Sequence, residues 1–175
     1  MRAEADPPPI AVQIESMKRK HVRDVLAIER EVYPRPWSAS LFFSELTQRK
    51  TRHYIVALAD DALVGYGGLM LHGEEGHVTT VAVDPRFQRR GIGARLMIDM
   101  VATARERRAA TLTLEVRVAN WAAQRMYAAF GFRPIGVRKN YYAETGEDAL
   151  VMRIHDLQSE DVMVRLTRMR AQTQA

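Results

Sequence analysis

The sequence predicts an α/β protein built on one mixed sheet covered by helices on both faces. Three observations point there. Short alternating apolar runs rich in β-branched residues recur along the chain and read as strands. The early strands follow one another across short turns, while two later helices lie between strands and act as crossovers. A chain of 175 residues without cysteine must hold itself together by burial, and this length suffices for one domain burying roughly two-thirds of its unfolded surface.

Residues 1–9, MRAEADPPP, read as a disordered lead, and 10–157 as the domain. Ile10, Val12 and Ile14 alternate with polar neighbours as a half-buried strand. Val22, Val25, Leu26, Ile28 and Val32 lie at helical spacing between Lys20 and Val32. Tyr33-Pro34-Arg35-Pro36 ends that helix, since proline disfavours the helical region for the residue before it. Ser38 caps a second helix through Thr47. His53 to Leu58 is a strand, Ala59-Asp60-Asp61 a turn, and Leu63 to Leu71 the returning strand. Another strand runs from His77 to Val83 and stops at Asp84-Pro85.

Ile92, Leu96, Met97, Met100, Val101 and Ala104 then mark a long amphipathic helix. Thr111 to Val118 alternates as a strand. Asn120 caps a helix carrying Ala123, Met126, Tyr127 and Phe130, which Gly131 ends. Arg133 to Arg138 and Ala149 to Ile154 close the sheet, with Arg138 to Tyr142 in the loop between them. Residues 158–175 read as a polar, basic and weakly helical tail, frayed and solvated.

Composition excludes several chemistries. Without cysteine there is no thiol nucleophile, iron–sulfur cluster or Cys-based zinc site, and the five histidines lack metal-ligand spacing, so no metal is expected. The best apolar stretch, Leu63 to Leu71, is far short of the ~20 residues that span a bilayer. The expectation is a cytoplasmic protein without membrane contact. The 26 basic residues exceed the 21 acidic ones by five, and the segment Arg86 to Arg108 carries that same surplus: seven Arg against Asp99 and Glu106. This predicts an anion at one segment rather than nucleic acid along a face.

That segment holds the sharpest signal. After Val81-Ala82-Val83 the chain turns through Asp84-Pro85-Arg86-Phe87 and opens a helix on Gln88-Arg89-Arg90-Gly91-Ile92-Gly93-Ala94. Free N–H groups at a helix start, arginines and close backbone approach at glycine make an anion site. Neither a Walker loop nor a dinucleotide fingerprint fits, since Leu96 stands where a third glycine belongs. A glycine turn with solvated arginines is the alternative.

Gln88 to Gly93 resembles the Q/R-x-x-G-x-G/A pyrophosphate loop of GCN5-related N-acetyltransferases (GNAT). The resemblance continues through Leu114-Glu115-Val116-Arg117, Asn120, Tyr127 and Phe130-Gly131-Phe132 to Asn140-Tyr141-Tyr142. Together these look most like the bacterial ribosomal-protein alanine N-acetyltransferases. The resemblance implies a mostly antiparallel sheet of about seven strands flanked by about four helices, with acetyl-CoA as co-substrate. It implies that the backbone of Val81, Ala82 and Val83 pairs with the pantetheine arm. Arg89, Arg90, Gly91, Ile92, Gly93 and Ala94 would then cradle the pyrophosphate, and Asn120 would touch the coenzyme.

Acetyl transfer to an amine needs a neutral amine and a protonated leaving thiol. With an α-amine pKa near 8, only about a tenth is neutral at pH 7, so a proton acceptor is required. The resemblance gives that role to Glu115, on the polar face of its strand, and the acid role to Tyr127. From position alone Glu115 is equally a surface carboxylate beside Arg117, and Tyr127 a core residue. Tyr141 and Tyr142 are candidates for holding a peptide backbone. Tyr33 and Pro34 belong to a turn, Tyr33-Pro34-Arg35-Pro36-Trp37-Ser38, that resembles the family's F-P-W-S turn but carries Tyr33 and an additional Arg35-Pro36.

The implied activity is direct acetylation of a protein N-terminal α-amine, ribosomal by resemblance and alanine-first or broader, by a monomer or weak dimer. A lysine or small-amine acetyltransferase is the alternative within the fold. A ribosome- or RNA-binding module with a vestigial site is the alternative outside it.

Overall fold

The computed structural model describes residues 7, 8 and 10–174. Apart from Pro7 and Pro8, the lead read over 1–9 lies outside the described residues. The elements in order are β1 (Gln13–Ser16), α1 (Val22–Val32), α2 (Ala39–Thr47), β2 (Arg52–Ala59), β3 (Ala62–His72) and β4 (Glu75–Val83). There follow α3 (Ile92–Glu106), β5 (Thr111–Arg117), α4 (Trp121–Phe130), β6 (Arg133–Tyr142), β7 (Glu147–Ile154) and α5 (Glu160–Gln174). The seven strands form one sheet ordered β1-β2-β3-β4-β5-β7-β6. Every neighbouring pair is antiparallel except β4 with β5.

Local chemistry sets most boundaries. Asp60 and Asp61 take φ of +46° and +66° in the β2–β3 turn, a conformation that aspartate tolerates better than most residues. Ser38 Oγ accepts from the Leu41 N–H and Asn120 Oδ1 from the Ala123 N–H, each satisfying a donor that the helix start leaves open. Gly131, at φ +102°, ends α4 in the left-handed conformation.

Two apolar layers sandwich the sheet. Leu96, Met97 and Met100 of α3, with Phe130 of α4, pack on one face against Leu112 and Leu114 of β5. Phe42 of α2 and Val25 of α1 cover the other over Tyr54 and Tyr66. Each fully buried side chain of this size contributes roughly 1.5–3 kcal/mol.

The pairing of β4 with β5 shapes everything functional. It is registered only over Glu75–His77 with Thr111–Thr113, although β4 continues to Val83 and β5 to Arg117. Beyond His77 and Thr113 the two strands part, leaving an opening in the middle of the sheet.

Three expectations are corrected. Within the segment read as a weakly helical, frayed tail, Glu160–Gln174 form a packed fifth helix, α5, with Val162, Leu166 and Met169 buried against the α3 and α4 layer. Those three residues follow i, i+4, i+7 spacing, an apolar stripe narrow enough to be masked by the surrounding arginines. Arg138 to Tyr142 is not a loop, because β6 continues through Tyr142 against β7, with register shifts absorbed around Asn140 at φ +52°. Ile10 and Val12 pack on the core but precede β1, which begins at Gln13.

Candidate active site

The parting of β4 and β5 opens into a cleft of about 360 Å³. His77 to Val81 of β4 form one wall, Glu115 to Arg117 of β5 the other, with Tyr33 and Trp37 from the α1–α2 turn and Tyr127 from α4. Tyr141 and Tyr142 at the end of β6 complete it, together with Asn120. The cleft thus brings together Tyr33, Val81, Glu115, Asn120, Tyr127, Tyr141 and Tyr142. Pro34 is exposed and does not line it; its neighbours Arg35 and Trp37 do.

Glu115 faces the cleft because β5 alternates: Leu112, Leu114 and Val116 are buried on the α3 side, so Glu115 emerges on the other. Its side chain is 10% exposed. His77 Nε2 stands 2.6 Å from Glu115 Oε2, and Arg138 lies 3.7 Å from the other oxygen. An ionised carboxylate only accepts, so Nε2 carries the proton in this pair. Burial by itself pushes the Glu115 carboxyl up, but the hydrogen bond and charge of His77, with Arg138 beyond, outweigh it and hold the group below its ordinary 4.5.

Tyr127 is 6% exposed, its ring edge-on to Phe132 at 5.9 Å. Burial, reinforced by the Tyr33 and Tyr142 phenols, pushes its hydroxyl well above 10, so it remains an O–H donor throughout the physiological range. Tyr33 Oη donates to the Val81 carbonyl at 3.1 Å, and Gln88 Nε2 donates to the Val83 carbonyl at 3.2 Å. Side chains thus occupy two acceptors of the strand expected to pair with the pantetheine arm. Tyr142 is pushed up to about 12, chiefly by burial.

The helix start at the mouth of β4 fits an anion. Gly91 takes φ +78° immediately before α3, and the first intrahelical donor is Arg95 N, bonded to the Gly91 carbonyl. The N–H groups of Ile92, Gly93 and Ala94 therefore have no partner within the helix. Arg90 Nε, one residue before Gly91, is buried with no hydrogen-bond partner among the described residues.

The charge arithmetic of this segment is corrected, however. Arg86 is bound to Asp84 at 2.6 Å, Arg95 donates to the Thr173 carbonyl of α5, and Arg105 to the Leu157 and Ser159 carbonyls. Arg107 donates to the Lys50 carbonyl, about 22 Å along α3 from its start. Four of the seven arginines, Arg86, Arg95, Arg105 and Arg107, therefore serve structural partners, and Arg108 lies beyond the far end of α3, so the surplus is not gathered at the helix opening.

Sequence reasoning missed three residues here. His77 pairs with Glu115 across strands far apart in sequence, a signal available only once β4 and β5 are known to be neighbours. Glu29, 1% exposed, accepts from Tyr66 Oη and from the Trp37 N–H at 2.9 Å, fixing the α1–α2 turn. Arg117 lies 3.9 Å over the Tyr142 ring and bonds Glu144, Glu147 and Thr145, pinning the β6–β7 hairpin.

A split sheet with an open helix start after β4, and a carboxylate–imidazole pair lining one cleft with a buried phenol, fits a group-transfer enzyme. The chain belongs to the Acetyltransferase (GNAT) family, whose profile matches residues 22–132. It is 35% identical over 159 residues to the N-alpha-acetyltransferase RimI of Mycobacterium tuberculosis, covering 87% of this chain and 96% of that one. It is 35% identical over 127 residues to the ribosomal protein bS18-alanine N-acetyltransferase of Salmonella typhimurium, covering 71% and 84%. The crystal structure of the ribosomal-protein-S18-alanine N-acetyltransferase from Escherichia coli superposes with a TM-score of 0.76 at 28% identity, covering 86% of this chain and 98% of that one. The mixed sheet and the enzyme class expected from sequence are thereby borne out. Among the described residues no helix is long and apolar enough to cross a membrane.

Proposed function

We propose that this chain transfers the acetyl group of acetyl-CoA directly to the N-terminal α-amine of a ribosomal protein. The observation that carries the reading is the Glu115–His77 pair lying in one cleft with Tyr127, where β4 and β5 part. Bound acetyl-CoA supplies an activated thioester carbonyl and a thiol leaving group.

The chain's residues supply the rest. Ile92, Gly93 and Ala94 N–H groups with Arg89 and Arg90 hold the pyrophosphate at the start of α3. Val81 to Val83 would hold the pantetheine arm through their backbone, with Asn120 at the start of α4 contributing a polar contact. His77 donates its Nε2 hydrogen to Glu115 and so orients the carboxylate toward the cleft. Glu115 takes the proton from the incoming ammonium, directly or through water. Tyr127 donates its hydroxyl proton toward the departing sulfur. Tyr33, Tyr141 and Tyr142 line the acceptor end, where their hydroxyls meet the first peptide units. With no cysteine in the chain, an acyl-cysteine route has no nucleophile.

A peptide panel tests this. Free and blocked N-termini beginning Ala, Ser, Met, Glu or Asp are incubated with acetyl-CoA, and CoA release is followed. Turnover restricted to free N-termini supports the reading. Equal turnover with blocked peptides containing lysine overturns it.

A further inference from the structure

A second concavity, of about 500 Å³, lies on the other flank of the sheet, where β1 ends and β2 begins beneath α2. That volume is within the about 300–1,000 Å³ of ordinary ligand pockets. Its floor is apolar, made by Met17, Phe43, Leu46 and the Tyr54 ring. Glu45, the single carboxylate among the lining residues, accepts from Arg52 Nε at 2.6 Å and from Tyr54 Oη at 2.9 Å. Lys18, Arg19, Arg49 and Arg107 surround the mouth.

Arg107 has a structural reason to be there, at the C-terminus of α3 and bonded to the Lys50 carbonyl. Among the described residues, Lys18, Arg19 and Arg49 form no ion pair. Arg19 stacks its guanidinium 4.1 Å over the Phe43 ring, a posture that leaves its N–H edge open to a planar acceptor. Converging unneutralised cations around an apolar floor select a ligand that is both anionic and apolar.

The adjoining strand says what form that ligand takes. β1 is the outermost strand, with Gln13 and Ser16 exposed, and no strand pairs its outer edge among the described residues. An extended chain can add to such an edge through backbone hydrogen bonds while alternate side chains enter a pocket beside it. A phosphodiester backbone gains nothing from a strand edge or an apolar floor.

We propose that this pocket and the β1 edge form a docking site for an extended acidic segment of a protein partner. An apolar side chain of the partner seats against Phe43 and Leu46, and flanking carboxylates meet Lys18, Arg19 and Arg49. The site is separate from the acetyl-transfer cleft and does not depend on the function proposed for it.

Fluorescence polarisation on the full chain provides the test, with a labelled Glu-Asp-Leu-Phe-Glu-Asp peptide as probe. Its Gln/Asn isostere and a single-stranded RNA hexamer serve as competitors. Saturable binding is expected, weakened tenfold or more by the double variant Arg19→Glu, Arg49→Glu. The charge-matched double variant Arg168→Glu, Arg170→Glu on the outer face of α5 should leave it unchanged, and acetyl-CoA turnover should be wild type in both. Equal binding of the isostere, stronger binding of the RNA, or equal loss in the two double variants overturns the proposal.

Discussion

Glu115 and Tyr127 sit on the successive elements β5 and α4 and line the same cleft, and their environments push their protonation in opposite directions. Glu115 is kept ionised by His77 and Arg138, and Tyr127 is kept protonated by burial. Glu115→Gln should lower kcat by roughly 10²-fold with acetyl-CoA affinity unchanged, as general-base removal usually does; stopped-flow CoA release with a titration of acetyl-CoA binding separates the two. Tyr127→Phe keeps the ring against Phe132 and should retain native stability while slowing transfer by a similar factor. Wild-type kcat in that variant would reduce Tyr127 to packing. The depressed Glu115 carboxyl also has a stability signature. A carboxyl held lower when folded contributes stability above its unfolded value near 4.5, and that contribution is lost as pH falls through the lower folded value. The Glu115→Gln variant should therefore lose less stability than the wild type on acidification below about pH 4.5, followed by urea unfolding across the acid range.

At the scale of elements, the predicted strands and helices are present, because each carries its own apolar period and its own stop. Ser38, Asn120 and Gly131 act where their chemistry requires. What sequence reading missed lay where the local pattern is weak. α5 is mean-polar and arginine-rich, and only its packing on α3 and α4 makes its three buried residues decisive. Leu166→Ala should cost about 2–4 kcal/mol in chemical denaturation, the usual range for a buried leucine, whereas a solvated tail would lose under about 0.5 kcal/mol. The extension of β6 through Tyr142 was hidden for a related reason. Lys139 and Asn140 are poor strand formers, and only pairing with β7 and the Arg117 clamp hold that end extended.

For the whole molecule, the sheet is continuous except where two parallel strands touch at one end and separate at the other. Helix α3 follows the end of β4 that lies beyond its pairing with β5, so the proposed anion site and the proposed reacting groups share that end of the sheet. Binding there should stabilise the native state by mass action. Acetyl-CoA at 100 times its Kd should add about 2.7 kcal/mol, raising Tm by roughly 5–10 °C in differential scanning fluorimetry. An unchanged Tm at saturating acetyl-CoA would contradict the coenzyme reading.

The sequence by itself determined the element order, the caps, the glycine-opened helix and the alternation that turns Glu115 away from the core. These are local properties, written in periods of two and 3.6 residues and in the chemistry of single turns. The tertiary structure alone decided that His77 meets Glu115, that Glu29 anchors the α1–α2 turn, and that four of the seven clustered arginines hold backbone carbonyls or Asp84. Those outcomes depend on which strands become neighbours and how far they remain paired, a balance of packing across the whole chain that no single segment encodes.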